Sequence, residues 1–366
     1  PELSFHEYNT ARFVADQLKA PGLEPQEGVA GTGVVALIKG KNPDSRVVGL
    51  RADMDALQIT EQNMFEHRSQ HEGQMHACGH DGHTAMLLGA AQHLAKSGNF
   101  DGTVTFIFQP AEEHGKGALA MMDDGLFERF SADAIYAMHN FPSLPTGSFA
   151  MKPGPIMACE DNFEIRIEGK GTHAALPHRG VDPIVIASEI VMALQSIVSR
   201  TVDPMSCSVI SVTEFLTDGA RNILPNEVIL KGDTRSFGGD MQNHIEQTME
   251  RIVTGTCSAH GARGHFQYSR EFAATINTRQ ETEIAAEVAR KIAGPEHVDA
   301  ACASIMTSED FGFMLQHKPG CYILIGNGGE GPGGCGLHNP SYDFNDDILS
   351  IGAEFWTALV EDQLAV

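Results

Sequence analysis

The chain is short of positive charge: 25 Lys plus Arg stand against 48 Asp plus Glu, a formal net charge of -23 over 366 residues. An excess of that sign repels phosphate backbones and anionic bilayers, which argues against nucleic acid and membranes as partners. It leaves small substrates open, although an anionic one would need a local cationic pocket. Long apolar runs are also lacking, and none reaches the roughly 20 residues that cross a bilayer. Cysteines are few, odd in number and scattered, at 78, 159, 207, 257, 302, 321 and 335. That pattern is unlike a disulfide framework and fits a reducing compartment, so a cytoplasmic location is expected. No signal-peptide pattern precedes the first expected helix, yet the chain opens at Pro1-Glu2-Leu3-Ser4-Phe5 inside what reads as an ordered element, which leaves room for a preceding leader. There are no internal repeats and no extended low-complexity segment. With 42% hydrophobic residues, the length suggests a soluble globular chain of about two domains.

What is present is concentrated in residues 75–85, Met-His-Ala-Cys-Gly-His-Asp-Gly-His-Thr-Ala, which hold three imidazoles, a thiol and a carboxylate ahead of an apolar helix-like run over 85–94. Cys78 and His80 lie two apart, so in an extended segment both side chains project to one side and could share an ion. A cysteine can equally be a small buried hydrophobe, and the spacing matches no zinc finger.

Ser4 followed by Glu7 has the form of a capping box, with Phe5, Tyr8, Phe13, Val14 and Leu18 as an apolar face, so a first helix is expected before Pro21-Gly22. Short β-rich runs follow at 33–38 and 46–52, the second ending in Arg51-Ala52-Asp53-Met54-Asp55. A buried strand over 103–108 ends in Gln109-Pro110-Ala111-Glu112-Glu113, a helix spans 117–127, and a strand over 134–138 ends in His139-Asn140. This alternation predicts an α/β fold, doubly wound on a mostly parallel sheet, with strand ends meeting at one edge. Between 161 and 273 the order becomes β-α-β-β-α-β, which predicts an inserted α+β (ferredoxin-like) domain; 1–160 and 274–366 form the catalytic domain. In that returning part, helices are expected over 281–293, from Ser308 and over 348–364, with a strand at 321–326 and a glycine-rich loop at 326–336. Tandem Glu112-Glu113 after a buried strand is either a hydrated acidic turn or a division of labour, one carboxylate binding metal and the other facing a water.

With Cys78, His80, Glu112, Glu113, His139 and His338 assembled, the chain resembles the dinuclear-metal amidohydrolases of the M20 peptidase family. The nearest resemblance is to the subgroup of hippurate hydrolase, N-acyl-L-amino acid amidohydrolase and plant auxin-conjugate (IAA-amino acid) hydrolase. The matching segments are LRADMDAL at 50–57, MHACGHDGHTAMLLGAA at 75–91, FQPAEEHGKGA at 108–118, HN at 139–140, GKGTHAALPHRGVDPI at 169–184, ARNILPNEV at 220–228, GDTRSF at 232–237, SEDFGF at 308–313 and LHNPSYDFND at 337–346. The resemblance implies that Cys78, His80, Glu113, His139 and His338 ligate two divalent ions, Zn or else Mn, Co or Ni, with the Cys78 thiolate shared. It implies Glu112 as general base and then acid, and Asp53 or Asp55 behind a ligand imidazole. His83 and His76 read as supporting or structural residues, and His114 has no assigned role. In the inserted lid and dimerisation domain, His173 would reach across a homodimer (or tetramer) to the oxyanion. Asn222 and Arg235 would hold the carboxylate of an N-acyl amino acid (acetyl, benzoyl or similar), a task for which a guanidinium fork suits. As a residue read alone, Arg235 could also be a strand-end salt bridge. A dipeptidase, carbamoylase or desuccinylase would use the same ligands. A catalytically inactive binding domain would be expected to have lost the base or a ligand.

Overall fold

A computed structural model describes residues 1–331 and 333–366, and the chain divides into two compact units. The first comprises Pro1–Ile156, Thr275–Ser304 and Asp310–Val366; the second comprises Met157–Ala274 and Ile305–Glu309. The short return through 305–309 has no counterpart in the domain limits expected from the sequence. It is held by Ala158, whose N–H donates to Ile305 O and Thr307 O, a pairing across almost 150 residues that leaves no local sequence signal.

The first unit is built on an eight-stranded sheet. Its labelled strands are β1 (Gln26–Val29), β2 (Gly33–Lys39), β3 (Val47–Asp53), β4 (Thr103–Gln109) and β5 (Ala134–Pro142). The sheet order is β1, β2, β4, β3, β5, then Gly320–Gly328, Phe149–Ala150 and Val298–Asp299. β3 runs parallel to both β4 and β5, and β5 runs parallel to Gly320–Gly328, so the mostly parallel centre sends its carboxyl ends to one edge. β4 is buried at every residue, as expected of a strand covered on both faces. Leu50, Phe106, Phe108, Ile323, Trp356 and Leu359 pack in this core, each contributing roughly 1.5–3 kcal/mol relative to exposure.

Several local expectations shift. Helix α1 covers Tyr8–Lys19, but Ser4 and Glu7 do not form a capping box. The carboxylate of Glu2 takes that place, accepting from the N–H groups of Asn9 and Thr10. Helix α2 covers His80–Ser97, so Cys78 and His80 are not on an extended segment; Gly79 lies between them at φ +88 and His80 is the first helical residue. A Cβ on Gly79 would fall on the side chains of Asn140 and Tyr342, so only glycine fits this turn. The helix expected over 117–127 breaks into Gly117–Asp123 and Leu126–Arg129 at Gly125, whose φ is +82. The helix expected from Ser308 begins at Phe311. The glycine-rich loop expected over 326–336 includes Pro332, which lies outside the described residues.

The second unit is a four-stranded antiparallel sheet in the order Ser208–Thr217, Glu227–Ser236, Cys159–Glu168, Arg263–Phe272. Helices Pro183–Ser196 and Gly239–Ala259 cover one face, with Ile186, Ile190, Leu194, Ile245, Met249 and Val253 buried against Ile165, Ile167, Val228 and Leu230. Asp182 caps the first helix by accepting from Ile184 N–H, with Pro183 at the first helical position. Residues Pro183–Thr201 are long and apolar enough to cross a membrane by length and composition alone. Ile186, Ile190 and Leu194 of this stretch pack on the sheet, while Val185 and Met192 are exposed.

Candidate metal centre

The carboxyl edge of the parallel sheet gathers side chains from five segments. His139 stands within β5; its Nδ1–H donates to Asn140 O at 2.6 Å, which leaves Nε2 facing Cys78 Sγ at 3.4 Å. Glu112 and Glu113 follow β4 across a turn in which Ala111 has φ +54. His338, itself at φ +60, donates its N–H to Ala77 O at 2.8 Å and so ties its loop to the residue before Cys78. Its Nε2 lies 3.3 Å from Glu113 Oε1. Donor atoms of Cys78, His80 and His139 lie within 4.8 Å of one another, and so do those of Cys78, Glu113 and His338. The thiol belongs to both groups.

Behind these groups sits a layer of buried polar residues. His80 Nδ1 is 3.1 Å from Asp55 Oδ1, and the other Asp55 oxygen accepts from Ser4 Oγ and Glu113 N–H. His83 Nδ1 pairs with Asp53 Oδ1 at 2.6 Å; its Nε2 lies 2.8 Å from Asn140 Oδ1 and 3.0 Å from Asn140 N, and the Asn140 amide nitrogen donates to the Tyr342 hydroxyl at 2.6 Å. Arg51, 1% exposed, donates to Asp53 Oδ2, Asp310 Oδ1 and Gln109 Oε1. Sequence reasoning missed Arg51, Asn140, Tyr342 and Asp310. For Arg51 a signal existed: in β3 it alternates with Asp53, and a period of two puts both on one face.

The electrostatics of the cluster call for a cation. Burial alone would push the Asp53 carboxyl up, but the charges of His80, His83 and Arg51 outweigh it and hold Asp53 well below the usual range. Burial opposes charge on His80 too, and Asp53 and Asp55 overcome it, pushing the imidazole to about 10. Cys78 is pushed well above the ordinary thiol range by burial and by Glu113, Glu112 and Asp53. His139 is held neutral by burial and by the neighbouring His83. His338 is raised by its partner Glu113. His80 Nε2 is buried with no hydrogen bond among the described residues, 3.8 Å from Asp53 Oδ2, 3.9 Å from Glu112 Oε2 and 3.8 Å from Glu113 Oε1. Those distances are too long for hydrogen bonds and leave a space ringed by carboxylates, imidazole and thiol. The donor set fits divalent ions, which would replace the protons on His80 and Cys78.

The remaining expected site residues lie in the second unit. His173 and Asn222 meet in a small ribbon, Thr172–His173 paired with Ile223–Leu224, where Ala174 N–H donates to Asn222 O at 3.0 Å. Both side chains are exposed. Arg235 stands apart from them on strand Glu227–Ser236. Its Nε donates to Asp233 Oδ2 at 2.7 Å, and its Nη1 lies 2.8 Å from Glu160 Oε2 and 3.2 Å from Ser308 Oγ.

This combination, a mostly parallel sheet with a thiol, imidazole and carboxylate cluster at its carboxyl edge and an inserted α+β unit, is matched by known proteins. The profile of peptidase family M20/M25/M40 matches residues 49–362. Hippurate hydrolase of Campylobacter jejuni is 39% identical over 98% of this chain and 92% of that protein. An IAA-amino acid hydrolase of Arabidopsis thaliana is 36% identical over 100% of this chain and 82% of its own. A solved Bacillus subtilis structure, described as a dinuclear metal-binding peptidase of the M20 family, superposes with a TM-score of 0.86 at 31% identity, covering 100% of this chain and 94% of that one. The chain therefore belongs to the M20/M25/M40 peptidase family. Within that family it is a metal-dependent amidohydrolase that takes divalent ions.

Proposed function

We propose that the chain hydrolyses the amide bond of N-acyl-L-amino acids, with acetyl, benzoyl or similar acyl groups. The observation that carries the mechanism is the pair of adjacent carboxylates: Glu113 turns to His338 and Cys78, while Glu112, 6% exposed, comes within 3.9 Å of the unbonded His80 Nε2. Cys78, His80, Glu113, His139 and His338 would hold two divalent ions, Zn, Mn, Co or Ni, with the Cys78 thiolate common to both. When bound, the ions supply Lewis acidity to the acyl carbonyl and acidify water. Glu112 takes the proton of the attacking water and returns it to the leaving amine nitrogen. Asp53 and Asp55 fix the ring orientations of the imidazoles. His173 of a second copy donates to the oxyanion, and the substrate carboxylate takes Asn222 and the Nη2 of Arg235, the part of the fork that neither Asp233 nor Glu160 occupies.

A homodimer through the second unit agrees with exposed apolar residues there, Val185 and Met192 on one helix and Phe215 and Leu216 on the edge strand. The test has three arms. Glu112→Gln at unchanged metal content should lower turnover by about 10³-fold, and near-normal turnover removes Glu112 from the role. Mixing inactive Glu112→Gln and His173→Ala chains should restore part of the activity if His173 acts in trans. A panel of acyl-amino acids, dipeptides and carbamoyl-amino acids on metal-reconstituted enzyme should favour the first group; preference for either other group overturns the substrate reading.

A further inference from the structure

We infer that Glu7 is a positioning residue for the general base, holding in place the turn that presents Glu112. The inference rests on the reading of Glu112 as base. Glu7 is fully buried. It stands at the start of α1 without capping it, since Glu2 supplies that cap. Its carboxylate instead collects three donors from three separate segments: Ala111 N–H at 2.9 Å and Phe5 N–H at 3.0 Å on Oε1, and Thr32 Oγ at 2.6 Å on Oε2. Burial among neutral donors assigns no task by itself; the backbone that the carboxylate ties down does.

What it grips shows the task. Ala111 immediately precedes Glu112 and is held at φ +54, a conformation that alanine disfavours. The far side of the same turn is closed by Gly115 N–H to Glu112 O at 2.7 Å and Gly117 N–H to Ala111 O at 3.1 Å. Glu7 supplies the near side. The same N-terminal segment also touches the support of His80, through Ser4 Oγ to Asp55 Oδ2 at 2.7 Å and through Ala56 N–H to Glu2 O at 2.8 Å. Residues 2–7 are thus a clip across both loops that carry the acidic side chains of the centre.

The test separates reach from charge in the full-length, metal-loaded chain. Glu7→Gln keeps the reach: the amide oxygen can accept from Ala111 N–H while the amide nitrogen donates to the Thr32 hydroxyl. Glu7→Asp keeps the charge and withdraws it by one methylene. A displacement of the base by a fraction of an ångström should lower kcat of Glu7→Asp by about thirtyfold, with KM within about twofold and metal content unchanged, while Glu7→Gln stays within about threefold of wild type. Adding Ala111→Gly, which makes the left-handed turn accessible without a clamp, should return about fivefold to Glu7→Asp. In a Glu112→Gln background Glu7→Asp should have no further effect. The inference is overturned by a Glu7→Asp enzyme at wild-type kcat, by losses that track metal or folded fraction, by Glu7→Gln falling as far as Glu7→Asp, or by no recovery with Ala111→Gly. Near-normal turnover of Glu112→Gln alone removes the base reading; an inert Glu112→Gln beside a fast Glu7→Asp removes only the role of Glu7.

Discussion

Asp53 and Asp161 are both buried carboxylates, one in each unit, 0% and 1% exposed. Asp53 faces His80, His83 and Arg51, whose charges outweigh its burial and keep it ionised. Asp161 accepts from Tyr268 OH at 2.7 Å and Gln242 Nε2 at 2.8 Å, and there burial wins and its carboxyl is raised. One is charged and built into a cluster with bonding capacity left over; the other is satisfied by neutral donors in the interior of a sheet. Burial alone therefore does not mark a functional carboxylate. The charge and the unbonded atoms around it do.

Four measurements would break or sharpen that contrast. The largest effect should come from removing divalent ions by chelation, which should abolish turnover and restore it on adding metal back; activity that survives in metal-free protein would leave the Asp53 cluster without its cation. Next, Asp53→Asn should weaken metal binding by about 10–100-fold, read by competition with a chelator, because it removes the carboxylate charge that orients His83 and Arg51 behind the centre. Third, His80 is held at about 10 in the metal-free protein, above its ordinary 6.5. The stability from its proton is present below 6.5 and is lost as pH rises through 10. Ions held by His80 as proposed would displace that proton, so their apparent affinity should rise by up to about tenfold per pH unit below 10, checked by calorimetry in buffers of different ionisation enthalpy. A flat profile would contradict the arrangement.

The smallest effect should be Asp161→Asn, costing about 1 kcal/mol of unfolding free energy with activity unchanged, since one donor loses its acceptor. Here the sign of the pH dependence differs between the two carboxylates. Asp161 has a folded value above its ordinary 3.8, so the stability it confers is complete below 3.8 and declines as pH rises through the raised value; the Asn variant should compare least badly near neutral pH. Asp53 has a folded value below 3.8, so its contribution is intact above 3.8 and fades only in stronger acid. Denaturation curves at several pH values would separate the two slopes.

The legibility of individual residues followed how local their causes are. Cys78, Gly79 and His80 are visible in the sequence as a metal-binding stretch, but their spacing suits an extended segment as well as a turn, because nothing nearby in sequence reveals that Asn140 and Tyr342 leave no room for a Cβ at Gly79. Ser4 and Glu7 have the spacing of a capping box, yet both side chains turn to distant partners, Asp55 and Ala111, while Glu2 caps the helix. The local pattern was real, and long-range donors competed for the same oxygens. Arg51 hid for the opposite reason: an arginine in a short β-run reads as exposed, and only the meeting of β3, β4 and the loop at Asp310 supplies acceptors enough to bury it.

By itself the sequence determined the alternation of strands and helices, the mostly parallel sheet, the inserted α+β segment and the pool of thiol, imidazole and carboxylate groups, because periodicity, capping residues and donor chemistry are properties of neighbours along the chain. The tertiary structure alone decided which atoms meet: that the Cys78 thiol stands close to His80 and His139 on one side and to Glu113 and His338 on the other, that His80 keeps an unbonded nitrogen among carboxylates, that Arg235 arrives already paired with Glu160, and that Glu7 lies beneath the turn of Glu112. These are contacts between segments tens to hundreds of residues apart, set by sheet order and strand register, and no local pattern encodes them.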